Sequence, residues 1–116
     1  MPDAEGHPNV EEMDFQTVLK ALSDPLRYQV IATLAGLPDS TERTCTSFGL
    51  PVSKSTRTHH FRILREAGLV RQVDRGNSRS AQLRRADIER RFPGLLGLVT
   101  DNAQLPEGVE LLATRD

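Results

Sequence analysis

The sequence contains few of the residues that build disulfides, metal sites and membrane spans. Its 116 residues include one cysteine, three histidines and no tryptophan. A single cysteine excludes a disulfide within the chain and suits a reducing compartment. Together with so few histidines, it leaves too few soft ligands for a zinc site built from one chain. No apolar run approaches the roughly 20 residues that a membrane-spanning helix needs. We therefore expect no metal, no cofactor and no membrane partner.

Motifs that mark common enzyme classes are also missing. The sequence has no G-x-S-x-G nucleophile elbow, no phosphate-binding P-loop, no glycine-rich dinucleotide motif and no H-E-x-x-H zinc helix. A chain of this length forms one domain with a modest core, and we predict that it is not an enzyme. The first residues, MPDAEGHPNVEEMD, are acidic and do not resemble a secretory signal, so we expect a cytoplasmic protein.

Charge is distributed unevenly along the chain. The net charge is −1, yet residues 54–91 carry eleven basic and four acidic side chains, a balance of +7 between flanking segments of −5 and −3. Ten of the eleven cations are arginines, which make bidentate contacts with phosphate and guanine that lysine cannot make. A solvated charged helix would also produce such a block, but the arginine excess favours a surface that binds nucleic acid.

Hydrophobic spacing predicts a mainly helical domain over residues 12–101, between a frayed tail at 1–11 and a second tail at 102–116. One amphipathic helix starts at Glu12, and Asp24 followed by Pro25 starts a second. A short helical turn is expected around residues 44–48. Ser53 can then cap a long helix, which Gly68 ends.

The remaining elements of this domain include a small β-hairpin. Residues 69–74 and 79–83 have the pattern of two strands joined by the turn RGNS. Asp87 can cap a last helix that Pro93 kinks or restarts. The predicted order α-α-α-α-β-β-α is that of a winged helix-turn-helix domain, in which one helix enters the major groove and a hairpin contacts the neighbouring backbone.

Two adjacent histidines in the long helix could suggest a metal site. Counted at about 100° per residue, His59 and His60 lie on different faces of the helix, so chelation of one ion by the pair is not expected. His60 shares the apolar face with Leu64 and is interpreted as a structural, hydrogen-bonded histidine. His59 shares the exposed face with Arg62. Arg57 lies near the buried side, from which its long side chain could still reach a phosphate.

Two segments of the chain are ALSDPLRYQVIATL and SKSTRTHHFRILREAGLV, and a basic hairpin follows the second. Together they resemble the ArsR-type (arsenic-repressor-like) winged-helix repressors. The resemblance covers roughly residues 15–83 and implies a homodimeric repressor that binds an inverted-repeat DNA operator. It places the recognition helix at 53–68 and the basic wing at 69–84. The expected DNA-binding residues are Lys54, Ser55, Thr56, Arg57, Thr58, His59, Arg62, Arg75 and Arg79.

The first and last helices are the expected dimer interface, both from the resemblance and from their apolar residues. The last helix carries more apolar side chains than a domain of this size can easily cover alone. The expected interface residues are Phe15, Val18, Leu22, Leu95, Leu96, Leu98 and Val99. The alternative is that the same side chains pack within their own chain.

Metal sensing, which is common in the ArsR family, lacks its usual ligands here. The chain has only Cys45 where sensors carry a cysteine pair, and no histidine follows residue 84. Cys45 could be a small buried hydrophobe or a thiol sensor activated by Arg43. It could also be a metal ligand with His7. A second function also remains open, that of a winged-helix module binding an acidic protein partner.

Overall fold

The computed structural model describes residues 2–103. Within them the chain forms five α-helices: α1 (Phe15–Leu22), α2 (Pro25–Ala35), α3 (Lys54–Glu66), α4 (Arg85–Arg91) and α5 (Leu95–Asp101). Three strands, β1 (Glu42–Thr44), β2 (Val70–Asp74) and β3 (Arg79–Leu83), form an antiparallel sheet in the order β1-β3-β2. Two 3-10 turns cover Val10–Glu12 and Cys45–Phe48. This arrangement is compatible with a winged helix-turn-helix domain.

Helix starts follow the capping residues. The Asp24 carboxylate accepts hydrogen bonds from the Leu26 and Arg27 backbone N–H groups, and the Ser53 hydroxyl accepts one from Thr56, as the sequence predicts. The first helix begins later than expected, at Phe15 instead of Glu12. The reason is a cap at Asp14, whose carboxylate accepts the Thr17 N–H at 2.9 Å.

The last helical region differs from the prediction at its start. Asp87 does not cap it, because the helix α4 begins two residues earlier and Asp87 lies in its first turn, 2.9 Å from the Arg84 guanidinium. The expected interruption at Pro93 is confirmed, since α4 ends at Arg91 and α5 begins at Leu95. The tail predicted for residues 102–116 lies outside the described residues from 104 onward.

The sheet has a third strand that the sequence did not predict. Besides the expected hairpin, in which Val70 pairs with Leu83 and Asp74 with Arg79, β1 pairs with β3 through Glu42↔Gln82 and Thr44↔Ser80. The three residues of β1 are polar and too few to show an alternating pattern. Strand β1 therefore supports the hairpin by pairing with the edge of β3 that faces away from β2.

One face of α3 supplies the centre of the core. Phe61 and Leu64 are completely buried there, together with Ile31 of α2 and Ile88 of α4. His60 and Ala67 lie on the same face, and the buried stripe is the one predicted from helical spacing. Core packing thus fixes the rotation of α3 and decides which of its residues face solvent.

The N-terminal segment does not fray as predicted. His7 is only 5% exposed, and its Nε2 accepts the Gln72 backbone N–H of β2 at 3.0 Å. The Pro8 carbonyl accepts a 2.8 Å hydrogen bond from the buried Arg84 guanidinium. Gly6 and Pro8 indicated a loose tail, but these partners, more than 60 residues away in sequence, hold the segment against the sheet.

Candidate nucleic-acid interface

The exposed face of α3 carries short polar and cationic side chains. Ser55, Thr58, His59 and Arg62 all face solvent, as predicted. The Arg62 guanidinium lies 2.9 Å from His59 Nδ1, so the two side chains are paired along the helix. Lys54, at the start of the helix, is also exposed. Such hydroxyl, imidazole and guanidinium groups are suited to base edges and phosphates.

The neighbouring histidine has a structural role, as predicted. His60 is 7% exposed, and its Nδ1 lies 3.1 Å from a guanidinium nitrogen of Arg27. Arg27 in turn donates to the Ala21 carbonyl at 2.8 Å. His60 therefore joins α3 to the end of α1 through Arg27, while its neighbour His59 belongs to the exposed face.

A groove of about 510 Å³ separates α3 from the β2–β3 hairpin. Four cationic side chains line it and only one acidic side chain, Asp74, does so; the cations are Lys54, Arg57, Arg65 and Arg79. Arg65 was not among the predicted DNA-binding residues. Its spacing could have identified it, because Arg57, Phe61 and Arg65 repeat every four residues and so share one side of the helix.

Two predicted DNA contacts are engaged within the protein. Arg75 makes a bidentate pair with Glu42 of β1, with Nε–Oε2 at 2.8 Å and a second contact at 2.6 Å. This pairing lowers the pKa of Glu42 and raises that of Arg75. Thr56 is half-buried, and its hydroxyl accepts a 3.0 Å hydrogen bond from Ser53 at the helix cap. Arg79 remains exposed beside the groove.

Three arginines of the basic block are engaged by backbone carbonyls of their own chain. Arg84 donates to Pro8, and one Arg85 nitrogen donates to the Leu34, Ala35 and Leu37 carbonyls at the end of α2. A third arginine, Arg91, donates to the Met13 carbonyl at 3.0 Å. The net charge of residues 54–91 is therefore larger than the positive charge available for binding DNA, because these arginines bind carbonyls of their own chain.

Cys45 does not have the surroundings of a thiol sensor. The side chain is 8% exposed, and burial raises the pKa of its thiol, an effect that Gln72, Arg79 and Arg57 only partly oppose. A reactive thiol needs exposure and a lowered pKa, so these surroundings favour the buried-hydrophobe interpretation over the sensor interpretation. His7 does not approach Cys45 as a co-ligand, since its ring nitrogens engage Gln72 and Asp3. Within residues 2–103 no three His, Cys, Asp or Glu side chains are grouped as metal ligands.

Four of the predicted dimer-interface residues are buried in their own chain. Val18, Leu22, Leu96 and Val99 are each at most 9% exposed, because they pack into the core around α2. Side chains buried to this extent offer little surface to a second chain. The exposed apolar side chains on these helices are Phe15 at 46%, Leu19 at 47% and Leu98 at 63%, with Leu95 half-buried.

Each helix that the structure describes is too short or too polar to cross a bilayer.

Comparison with known proteins places the chain in a family. No family model matches it. A protein of Bacillus subtilis (strain 168), described as an uncharacterized HTH-type transcriptional regulator, YceK, is 33% identical over 81 residues. The aligned region covers 68% of this chain and 79% of the relative. That relative is named as a regulator and not as an enzyme. The chain belongs to the HTH-type (helix-turn-helix) transcriptional regulators.

Proposed function

We propose that the protein is a sequence-specific, double-stranded DNA-binding repressor of the winged ArsR type that acts in the cytoplasm as a homodimer. In this proposal α3 is the recognition helix and the β2–β3 hairpin is the wing. The observation that carries the proposal is the solvent-facing row of Ser55, Thr58, His59 and Arg62 beside a groove lined by four cations. The ArsR resemblance supplies the repressor role and the inverted-repeat operator.

Each part of the surface has a separate task in this proposal. Arg62 and His59 contact base edges in the major groove, because they lie on the outermost face of α3. Lys54, Arg57 and Arg79 hold phosphates along the groove. Arg65 extends that row towards the end of the helix. Arg75 contributes to DNA binding indirectly, because its guanidinium is paired with Glu42 and holds the hairpin against β1.

The test is a fluorescence-anisotropy titration against duplex DNA from upstream of the protein's own gene and against a scrambled duplex, at two salt concentrations. We expect tight binding to the first duplex, with an affinity that falls as salt rises. Arg62→Ala should weaken that binding by about 1–3 kcal/mol, or roughly 5- to 150-fold, with less effect on the scrambled duplex. Arg90→Ala, which removes an exposed arginine from α4, is the matched control and should change little.

Failure to bind either duplex at low salt would refute the proposal and favour a protein-interaction module instead. Equal losses on both duplexes in Arg62→Ala would show a phosphate contact in place of a base contact. A different result, tight binding to scrambled DNA by the wild type, would refute sequence specificity alone.

The homodimer is proposed to form through α1 and α5. Phe15 packs on Phe92, with ring centroids 5.3 Å apart, yet keeps nearly half of its surface exposed. Leu19 and Leu98 add exposed apolar surface on the same two helices. Sedimentation should show a dimer at micromolar concentration that Leu98→Glu weakens and that Ala86→Glu, at an exposed position on α4, does not. A wild-type monomer would refute the dimer.

A further inference from the structure

Residues 3–9, which we name the N-terminal strap, are organised around Asp3 and His7. The Asp3 carboxylate accepts the backbone N–H groups of Glu5 and His7, both at 2.9 Å. It also lies 2.9 Å from His7 Nδ1. The opposite ring nitrogen, Nε2, accepts the backbone N–H of Gln72 at 3.0 Å. A nearly buried imidazole thus links the strap to β2.

The Gln72 N–H lies at the free edge of the sheet. The Arg84 backbone N–H donates to the Leu69 carbonyl and the Arg75 backbone N–H to the Ser78 carbonyl. The odd-numbered positions of β2 therefore exchange hydrogen bonds with even-numbered positions across the hairpin. An even-numbered position of β2 points its N–H away from β3. A buried N–H without an acceptor is destabilising, and His7 supplies the acceptor that a further strand would otherwise provide.

The Gln72 side chain carries this contact on to α3. It is 6% exposed, its amide oxygen accepts a hydrogen bond from Arg65, and its amide nitrogen lies 3.8 Å from Cys45 Sγ. The strap also lies against α3 directly, because a Cβ added at Gly6 would be 3.6 Å from Glu66 Cγ and 3.8 Å from Arg65 Nε. The N-terminal strap, β2 and the last turn of α3 therefore meet at Gln72, beside the groove that Arg65 lines.

We propose that His7 is a positioning residue for DNA binding: it holds β2, and through Gln72 the side chain of Arg65, in place against α3. This inference rests on the proposed function. The imidazole spans the two groups, with Nδ1 against the Asp3 carboxylate and Nε2 accepting the Gln72 backbone N–H.

The charged groups around the ring come from three directions. Asp3 and, at 3.9 Å, Glu5 face Nδ1 from the strap. Arg65 and Glu66 of α3 lie beside Gly6. On the other side, Arg84 donates to the carbonyl of Pro8, the next residue. At the Gln72 contact, β2 presents a backbone N–H and no charge to the ring.

The experiment compares three variants of the full chain. His7→Ala removes both ring contacts, whereas His7→Gln keeps one acceptor and one donor on a planar side chain. Ala4→Ser, at an exposed strap position, is the matched control. Amide hydrogen exchange at Gln72 reports the edge contact, and anisotropy with the upstream duplex reports DNA binding. In His7→Ala we expect exchange to rise at least about tenfold and DNA affinity to fall about five- to tenfold. His7→Gln should restore both to within about twofold of the wild type.

The outcomes separate this inference from the function on which it rests. Wild-type protein that binds DNA, with His7→Ala binding equally well, would overturn the positioning role and leave the proposed function intact. Failure of His7→Gln to restore binding would also overturn it. If His7→Ala does not fold, Gln72→Ala, which removes the acceptor of the Arg65 hydrogen bond, takes its place, and DNA binding equal to that of the wild type would overturn the inference. A wild type that binds no DNA would refute both.

Discussion

Replacement of Gly68 by alanine measures how closely the chain packs where α3 leads into β2. Gly68 has a φ of +89°, and a Cβ there would lie 2.7 Å from Met13 Cγ and 3.1 Å from both Sδ and Cε. Met13 is 1% exposed and packs in the core cluster, so any shift of its side chain disturbs other core residues. The left-handed conformation costs an alanine about 1–2 kcal/mol, and overpacking adds about 1–3 kcal/mol. We predict that the free energy of unfolding falls by about 2–5 kcal/mol.

Gly76→Ala provides the matched control for this prediction. Gly76 has almost the same φ, +88°, but no atom lies within 4 Å of the position of its Cβ. Its replacement should therefore cost only the conformational part, about 1–2 kcal/mol. Urea denaturation followed by circular dichroism gives both values, provided that the m-values agree. Equal losses in the two variants, within about 0.5 kcal/mol, would refute the reasoning about Met13.

Three further predictions concern Tyr28, Cys45 and Asp3. Tyr28→Phe removes the 2.7 Å hydrogen bond to the Val99 carbonyl and should lower the free energy of unfolding by about 0.5–1.5 kcal/mol; unchanged stability in urea would contradict this. The Cys45 thiol should react on the order of 100-fold more slowly with a thiol reagent in native than in denatured protein, and equal rates would disprove its protection. The backbone N–H of His7 is the main cause that lowers the pKa of Asp3 from 3.8 to about 2. The wild type should therefore lose stability as pH falls through that range, and Asp3→Asn, measured by acid titration, should lack this loss.

Predictions from sequence succeeded where a local pattern determines the structure. The rotation of α3 follows from the spacing of Phe61 and Leu64, and its start from the cap at Ser53, so the exposed row could be predicted without coordinates. The β2–β3 hairpin follows from strand patterns around the turn RGNS. These features depend on residues close together in the chain, whose effects on the backbone are well established.

Predictions failed where the partner of a residue is distant in sequence. Composition alone cannot show that Arg84 binds a carbonyl 76 residues away, or that His7 binds a strand 65 residues away. For the same reason the apolar residues Leu96 and Val99 were assigned to a dimer interface when they pack on their own core. A count of charges or of apolar side chains cannot distinguish surface from interior.

The pairing of Arg75 with Glu42 has a consequence for the entropy of binding. It ties the turn of the hairpin to β1, so the hairpin is already ordered before any DNA arrives, and association does not have to restrict its motion. Because this pair lies at the surface, high salt weakens it as well as the phosphate contacts. The salt dependence of binding should therefore be steeper than the number of phosphate contacts alone implies.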